Sequence, residues 1–451
     1  MFKIDTQTLQ ILLGAAVEGV LPALVQGVTT DTRTLTPGSL FVALRGERFD
    51  GHDYALQAVA GGAALVIADR PVAAPHLRVA DTLEAYQALA RWWRDRFKLP
   101  VVAVTGSAGK TTTRELIRAV LATAGPVLAP PGNENNDVGV PKLLLQLTDA
   151  HRYCVVEMGM RGPGEIARLA RCAAPSVGVI TNVGSAHIGR LGSHAAIADA
   201  KCELLAGMSA SGAAILNGED ERLLSTARRR WAGPVLTYGL DAGDVMGSFD
   251  GVHLHVDGIA FIPPLPGRHN HLNFLAALAV ARHLGLDLLQ VRERLQDLHL
   301  PTGRSLVIAL EGDVQLIDET YNSAPESARA ALAWFEGLPG RRRIAVLGQM
   351  RELGEFSRDL HRSLGEHCRR LALDELVVLE AGEDTEALLA GAGDLPVVQL
   401  ASHRAVAEYL AERVRPGDRI LFKASRAVGL ERVLVEFQDL FRAGIPSERA
   451  Q

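Results

Sequence analysis

Between residues 81 and 300, apolar runs of strand length alternate with stretches whose apolar residues recur at helical spacing. The clearest strands are 101–105 (VVAVT), 153–157 (YCVVE) and 177–181 (VGVIT). Short, nearly continuous apolar strands separated by amphipathic helices predict a mostly parallel sheet covered by helices. From residue 301 the alternation starts again, with strands at 343–347, 376–379 and 419–423 and helices between them. That pattern predicts a Rossmann-like unit. Residues 1–80 differ in texture. Strand-like segments at 39–44 and 64–68 lie among Gly and Pro turn signals, which predicts a smaller α/β unit. The expectation is an α/β protein of three domains, 1–80, 81–300 and 301–451, with neither internal repeats nor low-complexity linkers.

Composition narrows the function classes. The 451 residues are 48% hydrophobic and 22% charged, as in ordinary globular proteins. A net charge of −5 supplies no basic field for a nucleic-acid backbone, so any phosphate must be met by local chemistry. Cys154, Cys172, Cys202 and Cys368 show no CxxC spacing, which predicts reduced thiols rather than disulfides or zinc. The first twenty residues lack a cleavage signature, and no apolar run is long enough to span a bilayer. A cytoplasmic monomer without membrane insertion is expected.

The strand 101–105 runs into Gly106-Ser107-Ala108-Gly109-Lys110-Thr111-Thr112. A helix follows, with Leu116, Ile117, Val120 and Leu121 on one face. Strand, glycine loop and helix in that order form a phosphate cradle. Backbone N–H groups close around phosphate oxygens, Lys110 reaches the terminal phosphates, and the Thr111 hydroxyl can ligate Mg2+. The loop is a shortened one, since the full consensus has a glycine at the position of Val104. A glycine turn with a surface lysine is the alternative. No N-K-x-D guanine-reading motif follows, which favours ATP over GTP.

Two further strand ends carry polar residues. Glu157 ends the second strand, at the edge where such sheets bind ligands, and offers a hard oxygen to Mg2+. The third strand leads through Thr181 and Asn182 to His187, a ligand or a structural histidine. Lys201 is the most unusual of these residues. On a helix predicted over 195–206 it shares one face with Ile197, Leu204 and Leu205, so it interrupts an apolar stripe. A snorkelling lysine is the alternative, although it would normally occupy the opposite face.

Together these residues resemble the Mur ligase family, ATP-dependent ligases that join amino acids to peptidoglycan precursors. The likeness runs in order over nearly the whole chain. It implies that residues 105–112 hold ATP and that Thr111, Glu157, His187 and Lys201 serve two Mg2+ ions, with Lys201 carbamylated. Lys110, His187 and Lys201 would then be catalytic. The segment His269-Asn270-His-Leu-Asn273 resembles the family's H-N-x-x-N, which makes Asn273 the adenine contact beside Asn270. Arg304 and Asp318 match an arginine and a ribose-side acid that complete the nucleotide site.

Thr30-Asp31-Thr32-Arg33 and His52 resemble a UDP-binding unit, and Asn135, Asn136, Tyr321, Asn322, Lys423, Ser425 and Arg426 match substrate-side positions. The absence of D-N-P-R, with G-N-E-N-N at 132–136, resembles the branch that adds D-alanyl-D-alanine to UDP-N-acetylmuramoyl-tripeptide. The family usually has Asp, Asn, Asp and Gly where this chain has Glu319, Ala324, Gln349 and Ala424. Three alternatives stay open: the ligase adding the preceding residue, a phosphate-loop kinase, and a nucleotide switch. Closure of the third domain about a hinge near 301–303 would shield a reactive intermediate from water.

Overall fold

The computed structural model describes residues 2–209, 211–295, 303–380 and 382–444. Pro301 and Thr302, at the expected hinge and at the expected boundary between the second and third domains, lie outside the described residues.

Three sheets carry the architecture. A five-stranded sheet near the N-terminus runs Ala16–Glu18, His76–Arg78, Ala63–Ala68, Ser39–Val42, Val28–Thr29, antiparallel only at its first pair. The central sheet has nine strands. Its parallel part runs from Val245–Phe249 through Val235–Gly239, Ala213–Asn217, Val177–Ile180, Val101–Thr105 and Tyr153–Glu157 to Val127–Leu128. An antiparallel meander, Leu254–Val256 and Ile259–Phe261, extends one edge. The alternation of apolar runs does not announce this meander, but Asp257-Gly258 does. Both residues have positive φ, 49° and 79°, as a tight two-residue hairpin turn requires.

The third sheet runs Leu306–Leu310, Val314–Glu319, Asp418–Lys423, Arg342–Leu347, Glu375–Leu379, Val397–Leu400, again antiparallel at one edge pair. The strands expected from the sequence lie within one or two residues of these bounds. The 39–44 segment stops pairing at Val42, where the chain turns into the bridge between Arg45 and Asp50.

In the central sheet, Val101–Thr105 is buried on both faces between Val177–Ile180 and Tyr153–Glu157. The chain leaves it toward one side and returns to the other, so the sheet order reverses there and a crevice opens at the strands' carboxyl ends. Glu157 lies in register with Val104, and Ile180 with Thr105. Thr111, Glu157 and Thr181 are thereby brought to one edge. The helix Thr82–Arg94 ties the N-terminal segment to the central unit: Trp93 packs at a tilt against Phe2 with ring centroids 4.9 Å apart, and its indole N–H donates to the Leu147 carbonyl at 3.1 Å.

All four cysteines are buried and unpaired, and burial pushes each thiol up to about 12. No helix among the described residues is long and apolar enough to cross a membrane.

Candidate functional site

The crevice is the mouth of a cavity of about 990 Å3 between the central sheet and the third. One wall is the phosphate loop. The segment after Val177–Ile180 grips it: Ser107 N–H donates to Asn182 O at 3.0 Å, Ala108 N–H to Asn182 Oδ1 at 3.0 Å, and Thr181 Oγ1 to Ala108 O at 2.6 Å. Those two loop amides are therefore spent. The N–H groups at the start of the helix Lys110–Ala122 stay directed at the cavity, where a helix N-terminus favours an anion. Gly109, at φ 79°, begins that helix, and a Cβ on it would stand 2.6 Å from Asn273 Oδ1. Lys110 folds back, with Nζ 2.9 Å from the Gly106 carbonyl.

Behind the loop, Thr111 Oγ1 donates to Glu157 Oε2 at 2.7 Å, while Asn135 Nδ2 donates to Oε1 at 2.8 Å. The fully buried Arg114 stands 3.4 Å from Glu157 and is also paired with Glu115. A guanidinium so placed keeps a deeply buried carboxylate from being an uncompensated charge.

Lys201 is buried on the helix His194–Ala206, together with Ile197, Leu204 and Leu205, so it does not snorkel. Burial lowers its basicity well below the ordinary lysine range, and the neighbouring Lys110 adds to the effect. Neither amine has a carboxylate within ion-pair distance among the described residues. Lys110 lines the cavity, whereas Lys201 lies behind its wall, close enough for the two amines to disfavour one another's protonation. His187 sits at φ 68°, a left-handed backbone uncommon outside glycine, and its Nδ1 is 2.6 Å from Glu352 Oε2 of the third unit. The approach is close but not aligned as a hydrogen bond.

The two asparagines are not helix caps. Gly267 caps the helix Arg268–His283, while Asn273 accepts from Thr113 Oγ1 at 3.1 Å and Asn270 donates to Ser305 Oγ at 3.1 Å. They join the phosphate-loop helix to the third unit. There the Arg304 guanidinium lies 3.9 Å over the Tyr321 ring, with Arg426 at 5.8 Å from the same ring. Lys423 Nζ bonds Glu319 Oε2 at 3.3 Å and Asn322 O at 3.1 Å. Ser425 Oγ accepts from Arg351 N–H at 2.8 Å.

Some expected residues stand apart. Asp318 is off the cavity wall: Oδ2 accepts from Gly303 N–H at 3.0 Å, and Oδ1 from the N–H and hydroxyl of Thr320 at 3.0 and 2.7 Å. Its neighbour Glu319 lines the cavity instead. Asn136 lines it too, while its Oδ1 caps the turn at Gly139. Thr30, Asp31, Thr32, Arg33 and His52 are all absent from that wall. Arg33 is exposed and paired with Asp31 at 2.6 Å. Both nitrogens of His52 are engaged, Nδ1 with Asp50 at 2.5 Å and Nε2 with the Asp69 N–H at 3.1 Å.

The sequence assigned no role to Asn182, which it showed only as a polar residue at a strand end, and it did not single out Arg114, Glu326 or Glu352.

Known proteins resemble this chain throughout. The Mur ligase middle domain matches residues 104–281, the glutamate ligase domain of Mur ligases 303–426, and the Mur ligase family catalytic domain 24–113. A UDP-N-acetylmuramoyl-tripeptide--D-alanyl-D-alanine ligase of Synechocystis is 48% identical over 91% of either chain. A crystal structure of MurF from Acinetobacter baumannii superposes with a TM-score of 0.90 at 30% identity, covering 97% of this chain and 99% of that one. The MurF ligase of Thermotoga maritima, solved in complex with ADP, gives 0.84 at 31% identity over 93% and 99%.

Proposed function

The chain belongs to the Mur ligase family, and from that premise we propose that it joins D-alanyl-D-alanine to UDP-N-acetylmuramoyl-tripeptide, driven by ATP. The observation that carries this reading is a single cavity walled by the phosphate loop, Glu157, His187 and the third unit's Arg304, Lys423 and Arg426. A kinase or switch needs the loop. A ligase must also gather two anionic substrates around it.

The donor set fits magnesium. Thr111 and Glu157 present hard oxygens to one another across 2.7 Å, and His187 lines the same cavity. The described residues hold no cluster of three His, Cys, Asp or Glu side chains that would cage a cation alone. Two Mg2+ ions would be held through Thr111, Glu157, His187 and Lys201, with phosphate oxygens and water as the remaining ligands. Bound there, Mg2+ would supply positive charge to the transferring phosphoryl group.

Lys201 fits carbamylation for its own reason. A buried, weakly basic amine keeps the lone pair that adds to CO2, with loss of a proton, and the resulting anion would answer Lys110.

In the reaction proposed, a carboxylate oxygen of the tripeptide attacks the γ-phosphorus of ATP and ADP leaves. The dipeptide amine, having lost its proton, then attacks the acyl-phosphate carbon. The tetrahedral adduct gives its extra nitrogen proton to solvent or to the departing phosphate, expels that phosphate and leaves the amide. Lys110 and the N-terminal amides of its helix hold the phosphates, and Arg304 and Arg426 offset carboxylate charge that would otherwise repel. Asn270 and Asn273 border the adenine and Asp318 supports the ribose side. Asn135, Asn136, Tyr321, Asn322, Lys423 and Ser425 face the peptide, and Thr30, Asp31, Thr32, Arg33 and His52 belong to the UDP unit.

Domains of 1–80, 81–300 and 301–451 would divide these tasks. The third would close over the nucleotide to exclude water, in a monomeric cytoplasmic enzyme. The test offers D-alanyl-D-alanine, diaminopimelate and lysine separately and records phosphate release. Release that requires D-alanyl-D-alanine is expected; release without any amine would overturn the ligase reading.

A further inference from the structure

The third unit reaches into the central one through a carboxylate. Glu326, near the start of the helix Pro325–Glu336, accepts with one oxygen, Oε1, from both the N–H and the hydroxyl of Ser185, at 2.8 and 2.7 Å. Ser185 is buried, and its hydroxyl is also 3.0 Å from His194 Nε2. The preceding Gly184 lets the carboxylate come close: a Cβ there would stand 2.6 Å from the Glu326 carboxyl carbon, so any larger residue would push the Glu326 side chain aside. Gly184 in turn donates its N–H to Ser107 Oγ of the phosphate loop at 2.8 Å. An unbroken path of short contacts thus runs from the third unit to the phosphate cradle through Glu326, Ser185, Gly184 and Ser107.

The geometry points to Glu326 as a positioning residue that sets the phosphate loop and the neighbouring His187 segment only when the third unit is docked. Its second oxygen, Oε2, has no hydrogen-bond partner among the described residues, and Glu326 also lines the cavity. The contact is local on both sides. Glu326 meets backbone and hydroxyl donors rather than a cation, so what it supplies is an acceptor in a fixed place, not a counter-charge. The consequence is conditional catalysis: an undocked third unit leaves the loop 181–187 without its outer support and the phosphates less well placed. Glu352, which touches His187 and accepts from Gly189 N–H at 3.2 Å, steadies the far end of the same loop.

This inference rests on the ligase reading for its assay but not for its structural readout. Glu326→Ala, Glu326→Gln and Ser185→Ala are compared with the unaltered protein in amine-dependent phosphate release, in small-angle scattering with ATP, Mg2+ and the UDP-tripeptide, and in thermal unfolding. Glu326→Ala is expected to lower kcat by about tenfold to a hundredfold, since misplacement of reacting groups is costly. KM for the UDP-tripeptide should stay within about twofold, because only the assembled state is affected. Glu326→Gln keeps a carbonyl acceptor and should retain kcat within about threefold and the substrate-induced compaction, while Glu326→Ala loses the compaction. Ser185→Ala should fall between them.

Unchanged kcat in a folded Glu326→Ala would overturn the proposal. So would a Glu326→Gln as impaired as Glu326→Ala, because the charge and not the acceptor would then matter. If the unaltered protein shows no amine-dependent release, the ligase reading falls while the scattering arm still decides the role of Glu326.

Discussion

Thr111 and Glu157 meet at 2.7 Å, hydroxyl to carboxylate, although they stand on different elements. The parallel register of Val101–Thr105 with Tyr153–Glu157 brings the acid to the end of its strand beside the first turn of the phosphate-loop helix. With Asn135 on the other oxygen and Arg114 behind, the carboxylate is fixed before any cation arrives.

Glu157→Gln keeps the shape but removes the charge and turns one of the two accepting oxygens into a donor. Mn2+ affinity, read from the electron paramagnetic resonance of the free ion, should fall, and phosphate release should drop roughly 100-fold or more. Unaltered Mn2+ binding would remove Glu157 from the cation site.

Lys201 works against the fold's stability, and the sign of its pH dependence follows. Burial holds its basicity well below the ordinary lysine range. Between that lowered range and the ordinary lysine range the unfolded chain binds a proton there that the folded chain lacks, so stability rises with pH across that window. In carbon-dioxide-free buffer at pH 7, Lys201→Met should stabilise the protein by about 1–3 kcal/mol while abolishing ligation. The gain should shrink by pH 9. A variant that melts lower at pH 7 would mean that the amine is paired and charged.

Gly109→Ala tests the phosphate loop through its backbone. The residue has φ 79°, and the added methyl would meet the Asn273 amide at 2.6 Å. Left-handed backbone costs a non-glycine residue about 1–2 kcal/mol before any clash. Loss of ADP binding in calorimetry, with the far-ultraviolet spectrum retained, is the expected result. Normal ADP affinity would show that the loop can shift without consequence.

Gln349 is hydrogen-bonded to Asp384, and the two line a separate cavity of about 540 Å3 in the third unit. Gln349→Asp restores the residue usual in the family but sets two carboxylates together. Their repulsion should make the variant less stable than the parent above about pH 5, where both would ionise, with the difference fading on acidification. A thermal-unfolding series from pH 4 to 8 checks this, and a pH-independent difference would refute it.

The sequence by itself determined the alternation of strands and helices, the phosphate loop at 106–112, and the anomaly of Lys201, because these are local patterns. A period of two or of 3.6 is written in consecutive residues, and a lysine in an apolar stripe is visible without a partner. Asp318 and Glu319 show where that reading stops. Successive side chains of a strand point to opposite faces, and only the packed sheet decides that Glu319 meets the cavity while Asp318 turns back to Gly303 and Thr320.

His52 likewise looks available in the sequence and is occupied on both nitrogens in the fold. Glu326 and Glu352 carried no signal at all. Glu326 meets Ser185 across 141 positions of chain, and Glu352 meets His187 in the same loop. Contacts across such separations come from how two sheets dock, a property of assembled surfaces that no window of neighbouring residues records.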